Sequence, residues 1–150
     1  MSLGNDNFKA CFKYVDHFSD VGIISSGKTV EDLFSISAEA MFGVMAEISD
    51  IGTSKSFDVT VASDDLESLM VDWLSELLFI FDSEETLLSK FDVQSIEKKD
   101  DEYILNSIVF GDPTDNKIQR FKTEVKAVTY NKLRVEKKDN FWEAEVVLDL

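Results

Sequence analysis

Residues 64–82, DDLESLMVDWLSELLFIFD, decide how this chain folds. Apolar side chains recur there in one unbroken stripe, which comprises Leu66, Leu69, Met70, Trp73, Leu74, Leu77, Leu78 and Phe81. Their i, i+3, i+4, i+7 spacing predicts an amphipathic helix with one buried face. Asp64 is followed three residues later by Glu67, as in a capping box, so the helix is predicted to begin at Asp64. A stripe this long predicts the central packing helix of the fold.

A second amphipathic helix is predicted upstream, with Thr29 as its N-cap and Asp32 three residues later. Its apolar face spans about five turns and comprises Val30, Leu33, Phe34, Met41, Val44, Met45 and Ile48. Elsewhere apolar and polar residues alternate, which is typical of strands with one solvent-facing side. Such strands are predicted at 8–14, 56–61, 88–98, 102–111, 123–138 with a break near Asn131, and 142–150. The predicted fold class is therefore α+β, with two long amphipathic helices packed on largely antiparallel β-sheets.

Charge and composition exclude several functional classes. Thirty acidic residues against fifteen basic ones give a net charge of -15, so most of the surface would repel a phosphate backbone and direct nucleic-acid binding is not expected. No segment has the length of a signal peptide core or of a membrane span. Cys11 is the only cysteine, which fits a reducing compartment. The sequence therefore predicts a cytoplasmic protein that folds as one domain over residues 1–150, with residues 1–7 as a flexible N-terminus.

Two clusters of carboxylates lie at distant points of the sequence. Residues 16–22 read DHFSDVG, in which two aspartates flank His17, the only histidine. At the other end, the alternating pattern of the last strand runs through Asp149 to Leu150, which places a side-chain and a main-chain carboxylate at a strand end. A single histidine excludes a multi-histidine metal site, and clustered carboxylates suit hard ions such as Mg²⁺, Ca²⁺ and Mn²⁺. The other interpretation of residues 16–22 is an ordinary loop, whose acids bind backbone amides and whose glycine permits a turn.

Five blocks of the sequence resemble blocks of a known family. DHFSDVG is similar to DHTADIG, residues 27–45 (GKTVEDLFSISAEAMFGVM) to GxTxEEAFExAAxAMFxxM, and residues 64–82 to EDLESLLxxWLNELLYLFD. Residues 122–137 (KTEVKAVTYNKLRVEK) are similar to TEVKAVTYHxMxVEK, and the ending EVVLDL is similar to VVxDI. Because these blocks cover most of the chain in the family's order, the sequence resembles an archease.

The resemblance implies a function that the residue patterns alone do not give. Archeases are small acidic protein cofactors of the RtcB-type RNA ligase, which joins 2′,3′-cyclic phosphate or 3′-phosphate RNA ends to 5′-hydroxyl ends in tRNA splicing and RNA repair. The resemblance implies that this chain is not an enzyme but promotes guanylylation of the ligase, and so its multiple turnover. It also implies a divalent metal ion (Ca, Mg or Mn), held by Asp20, Asp149 and the main-chain carboxylate of Leu150. Asp16 and His17 match the same motif, and Asp16 is expected to orient the loop.

Two alternatives remain open at this point. The first is an acidic chaperone or adaptor for a tRNA-modifying enzyme, a cytosine methyltransferase, with a structural or absent metal. The second is a metal-assisted hydrolase built on Asp16, His17, Asp20 and Asp149. The sequence has no GxGxxG, Walker, HExxH, EF-hand or GxSxG motif. Without a nucleophile or further histidines, the hydrolase is disfavoured.

Overall fold

The computed structural model describes residues 8–16, 19–114 and 121–150. The predictions made for residues 1–7 and for His17 lie outside these ranges. Within them the chain forms two α-helices, one 3-10 turn and seven β-strands whose hydrogen-bonded neighbours are all antiparallel. This arrangement confirms the predicted α+β class.

The strands form two separate sheets. In chain order they are β1 (Cys11–Asp16), β2 (Asp20–Gly27), β3 (Lys55–Ser63), β4 (Thr86–Lys99), β5 (Glu102–Pro113), β6 (Ala127–Lys137) and β7 (Trp142–Asp149). The first sheet has the order β1-β2-β7-β6, and the second has the order β3-β5-β4. In the first sheet the last strand, β7, therefore lies between β2 and β6, which places it directly beside the second strand of the chain.

The two helices pack between these sheets. Helix α1 (Val30–Met45) contacts β2 of the first sheet and β4 of the second, while α2 (Leu66–Glu84) contacts β6 and β3. Trp73 of α2 is fully buried, and its indole Nε1 donates a hydrogen bond of 2.9 Å to the backbone oxygen of Phe34 in α1. Helices and both inner sheet faces thus share one hydrophobic cluster. No helix in the described ranges is long and apolar enough to span a membrane.

The first helix begins as predicted and ends earlier. The Thr29 hydroxyl accepts a hydrogen bond of 3.1 Å from the backbone N–H of Asp32, as an N-cap should. The helix stops at Met45 because Ala46 is extended, with φ -161° and ψ 167°, and forms an isolated bridge with Phe121. The predicted length of five turns is therefore too long, and Ile48 belongs to the 3-10 turn Ile48–Asp50.

The second helix begins one residue later than predicted. Asp65, not Asp64, is its N-cap, and the Asp65 carboxylate accepts a hydrogen bond of 2.7 Å from the N–H of Ser68. The predicted pairing of Asp64 with Glu67 is therefore wrong by one register step. Adjacent aspartates offer the same chemistry to the first turn, and the sequence pattern does not distinguish which of them has the extended backbone that an N-cap needs.

Several strand predictions need correction. The first strand was predicted at 8–14 and is observed at Cys11–Asp16, while β2 was not predicted at all. The break predicted near Asn131 is an irregularity within β6, which continues to Lys137: the register with β7 shifts between Thr129 and Arg134, and Lys132 has a φ of 56°. The turn predicted at 139–140 is confirmed, since it joins β6 to β7 as a hairpin.

The end of β2 is pressed against the first turn of α1. A Cβ atom at Gly27 would lie 2.5 Å from the backbone nitrogen of Leu33, which is too close for any side chain. Gly27 therefore permits a backbone-to-backbone approach that fixes β2 on the helix. Because β2 is held at this end, the position of Asp20 at its other end is set by the core of the protein.

Candidate metal centre

Asp20 and Asp149 are direct partners on neighbouring strands. Asp20 is the first residue of β2 and pairs with Asp149, the last residue of β7. Side chains of directly opposed residues project from the same face of a sheet, with Cβ atoms about 4.5–5.5 Å apart. The structure therefore brings together two of the three residues that the family resemblance implies as metal ligands.

The surrounding backbone fixes the third residue as well. The N–H of Leu150 donates a hydrogen bond of 3.2 Å to the carbonyl oxygen of Ser19, so the β2–β7 pairing continues one step beyond Asp149. On the other side, the N–H of Lys126 donates a hydrogen bond of 2.8 Å to the Asp149 carbonyl oxygen. Asp149 is thus held between two neighbouring segments, and Leu150, the last residue of the sequence, lies beside residues 19–20.

One of the two aspartates has a buried oxygen without a partner, and neither aspartate has an ion-pair partner in the described ranges. The Oδ1 atom of Asp20 is buried and has no hydrogen-bond partner, although carboxylate oxygens away from water normally accept hydrogen bonds. Ion pairs in the described ranges join Lys122, Arg134 and Lys138 to glutamates, and none involves Asp20 or Asp149. Two like charges directly opposed on one sheet face also repel each other. A cation bound between them would relieve both costs.

The donor set fits a hard divalent ion held by few protein ligands. The described ranges contain no group of three or more His, Cys, Asp and Glu side chains that could hold a metal. Within these ranges Asp20 and Asp149 contribute two carboxylates at this place, and Leu150 adds main-chain oxygens beside them. Such all-oxygen sets suit Ca²⁺, Mg²⁺ or Mn²⁺, with water completing the shell.

Asp16 lies near this centre but on a different element. The sequence interpretation placed Asp16 and Asp20 in one loop, whereas Asp16 ends β1 and Asp20 begins β2, so each belongs to a strand. Asp16 pairs with Val21 in the β1–β2 ladder. Its side chain lines an open cavity of about 340 Å³ together with Leu150 and Lys122. The structure thus places Asp16 beside the chain end, and His17 lies outside the described residues.

Sequence reasoning missed the strand that carries Asp20. Val21 and Ile23 are buried at a spacing of two, and the next positions of that face are Ser25 and Gly27, which are also buried. Small residues on the core face hide the alternation that marks a strand. A search that allowed serine and glycine at buried positions would have found it.

Comparison with known proteins agrees with this fold. The Archease protein family (MTH1598/TM1083) matches residues 12–150. The chain is 39% identical over 139 residues to the protein archease of Methanosarcina mazei, covering 93% of this chain and 95% of that protein. The solution structure of protein 1598 of Methanobacterium thermoautotrophicum is 37% identical, with a TM-score of 0.83 over 93% of this chain and 98% of that one.

A more distant structure shows the fold alone. A crystal structure from Thermotoga maritima, described as an archease and possible chaperone, is 18% identical, with a TM-score of 0.58 over 92% of this chain and 96% of that one. Its likeness extends the same α+β architecture to a sequence that shares few residues with this one. With nearly the whole chain matched by the family and by a curated relative above one-third identity, this protein belongs to the archease family.

Proposed function

We propose that this protein is a metal-binding activator of an RtcB-type RNA ligase in tRNA splicing and RNA repair. It promotes guanylylation of the ligase and thereby its multiple turnover, and it has no turnover of its own. The observation that carries the proposal is the pairing of Asp20 with Asp149, with the buried Oδ1 of Asp20 lacking any partner. Membership of the archease family supports the choice of partner.

The metal ligands in this proposal are Asp20, Asp149 and the main-chain carboxylate of Leu150. A divalent ion bound there would neutralise charge that develops on phosphoryl oxygens when GMP is transferred to the ligase. The ladder between β2 and β7 holds the two aspartates in a fixed relative position. Because only a few protein oxygens are supplied, coordination positions remain for water or for phosphate oxygens of the partner's nucleotide.

The charge of the protein supports an RNA-binding enzyme as its partner. An RNA ligase needs a basic surface for its substrate, and a chain with net charge -15 is attracted to such a surface over a long range. Steering of this kind raises the association rate and falls steeply with salt. The partner is therefore expected to bind this protein faster at low ionic strength.

Replacing Asp149 with Asn tests the proposal through the first chemical step of the ligase. Ligase guanylylation by GTP is measured with no addition, with wild-type protein and with Asp149→Asn. The wild-type protein is expected to raise the rate, and Asp149→Asn is expected to remove at least nine-tenths of this gain, because loss of outer partners of a metal site alone costs about 10- to 100-fold. Asp58→Asn is the control, since Asp58 is an exposed aspartate on β3 of the other sheet.

The outcomes separate the proposed function from its alternatives. Equal stimulation by wild type and Asp149→Asn would favour an acidic adaptor, such as a chaperone-like partner of a tRNA cytosine methyltransferase, whose metal is structural or absent. No stimulation by the wild-type protein would contradict the ligase partner itself. Loss of stimulation with Asp58→Asn as well would show that total charge matters and that the position of Asp149 does not.

A further inference from the structure

Helix α2 carries more apolar residues near its end than the core can cover. Residues 77–81 are apolar without interruption, so their side chains point around the whole circumference of the helix. Leu77 and Ile80 are buried, whereas the Phe79 side chain is 62% exposed. A phenylalanine this exposed has an unfavourable contact with water that a partner surface would remove.

Phe79 lies at a groove between α2 and the segment that leads into β6. The groove has a volume of about 470 Å³, and its apolar lining includes Leu78, Phe79 and Phe81 from the helix and Val128 from β6. Beside it, the ring of Phe121 lies 6.0 Å from the ring of Phe81 and is itself 50% exposed. Two large exposed aromatic residues, one in the lining and one beside it, therefore accompany a groove with a partly apolar lining, which is typical of a protein-binding surface.

The groove is bordered by negative charge. Asp82, Glu84 and Glu85 follow Phe79 at the C-terminal end of α2, where the helix dipole is also negative. The last turn contains no basic residue, and none of these three acids forms an ion pair within the described ranges. Glu124 and one cation, Lys126, line the groove as well. This excess of acids does not stabilise the isolated chain. It would, however, attract a partner whose surface is basic.

The same charge argues against a second copy of this chain as the occupant. Two copies meeting at this groove would bring the acids at the end of α2 close to those of the other copy, and each copy has a net charge of -15. Like charges placed together across an interface cost several kcal/mol. The groove therefore fits a partner of opposite charge.

The groove lies beside one residue of the candidate metal centre. Lys126 and Ala127 both line the groove, and Ala127 is the strand partner of Asp149. The Lys126 N–H also donates a hydrogen bond to the carbonyl oxygen of Asp149. A protein that contacts Asp149 therefore lies close to the groove.

We propose that the groove beside Phe79 is the docking surface for the partner protein. It receives an aromatic or long aliphatic side chain from a surface on which Arg or Lys residues flank that side chain. This inference rests on the proposed function, since the partner at the groove is the same ligase that the metal centre serves. The groove supplies affinity, and the metal centre supplies activation.

Replacing Phe79 with Ser separates these two contributions. The dissociation constant of the complex with the RtcB-type ligase of the same organism is measured by calorimetry for wild type, Phe79→Ser and Tyr130→Ser. Tyr130 is the matched control, because it is 63% exposed and does not line the groove. Phe79→Ser is expected to weaken binding about tenfold, as truncation of an interface anchor does, and Tyr130→Ser is expected to stay within twofold of wild type. At saturating concentration Phe79→Ser should still give the full guanylylation rate.

A charge variant provides a second, independent measurement. Asp82→Asn combined with Glu85→Gln is expected to lower the association rate and to flatten its salt dependence, because both acids are exposed and need no partner to keep the fold. If the wild-type protein binds the ligase and both variants bind it with unchanged rate and affinity, the groove is not the docking surface, although the proposed function stands. If the wild-type protein does not bind the ligase, both inferences are overturned.

Discussion

Asp20→Asn is expected to weaken divalent metal binding about a hundredfold or more while leaving the fold intact. The substitution removes the charge of one of two directly opposed carboxylates on the sheet formed by β2 and β7. Changes that only reorient a metal ligand cost about 10- to 100-fold in affinity, and loss of a charged ligand should cost at least as much. Titration calorimetry with Ca²⁺, Mg²⁺ and Mn²⁺ measures the effect.

The same substitution should have opposite effects on stability with and without metal. Without metal, Asn at position 20 removes the repulsion from Asp149, so the free energy of unfolding should stay unchanged or rise by about 0.2–1 kcal/mol. With an ion at a hundred times its Kd, the wild-type protein should gain about 2.7 kcal/mol, and the variant should gain far less. Thermal unfolding with chelator and with each ion shows whether the order of stability reverses.

Asp58→Asn is the control for this experiment, since it makes the same chemical change on the other sheet. It should retain the wild-type response to metal. A wild-type protein whose stability does not change with any of the three ions would contradict a metal site between Asp20 and Asp149. An equal metal response in Asp20→Asn would place the binding site elsewhere.

Trp73→Ala is expected to have the largest effect on stability. Trp73 is fully buried between the helices, and its Nε1–H is bonded to Phe34 O at 2.9 Å. Truncating a buried tryptophan removes its transfer free energy and leaves a cavity, which together cost about 3–5 kcal/mol. Since small domains are stable by only about 5–15 kcal/mol, the variant should unfold at much lower denaturant concentration. Urea unfolding followed by circular dichroism measures the change.

The other tryptophan of the chain provides the comparison. Trp142 lies at the start of β7 and is only partly buried, so Trp142→Ala should lose less stability than Trp73→Ala. Equal losses for the two variants would contradict the central position assigned to Trp73. Trp73→Phe should fall between wild type and Trp73→Ala, because it keeps most of the ring volume and loses the hydrogen bond.

The helices were the most predictable part of this fold. Their apolar stripes depend on spacing within one segment, and the N-cap at Thr29 is a local hydrogen bond that a short sequence motif encodes. The errors in the helix predictions lie at the helix ends. Ile48 was included in α1 because its apolar spacing continues, although the chain leaves the helix at Ala46 to pair with Phe121. That pairing depends on a residue 75 positions away, which local spacing cannot indicate.

The strand β2, in contrast to the helices, was not predicted from the sequence. Its core face contains Ser25 and Gly27, and the glycine is required because β2 approaches the backbone of α1. Where a strand packs this closely on a helix, its core face has no room for the large apolar side chains that indicate a strand in a sequence.

The apolar face predicted for helix α2 was too narrow, since Ile80 is buried although it lies off the predicted face. A helix between two sheets buries more than one stripe.

The residue types predicted the chemistry of the candidate site but not the proximity of its two aspartates. The chemistry could be predicted, because clustered carboxylates in a chain with a single histidine indicate a hard cation. Their proximity was not, because Asp20 and Asp149 meet only when β7 inserts beside β2, and sheet order does not follow from alternation. The resemblance to the family implied these ligands, and the structure then placed Asp20 opposite Asp149 and left Oδ1 of Asp20 without a partner.

Multiple-turnover RNA ligation measures whether a metal bound between Asp20 and Asp149 activates the ligase. A limiting amount of the cognate RtcB-type ligase is supplied with substrate, GTP and metal, and joined RNA is measured with no addition, wild-type protein, Asp20→Asn, Asp149→Asn or Asp58→Asn. We expect many turnovers with wild type and Asp58→Asn, and about one turnover per ligase with the other two variants, all with unchanged circular dichroism. Equal turnover with Asp20→Asn and wild type would contradict the claim that a metal bound at this site activates the ligase.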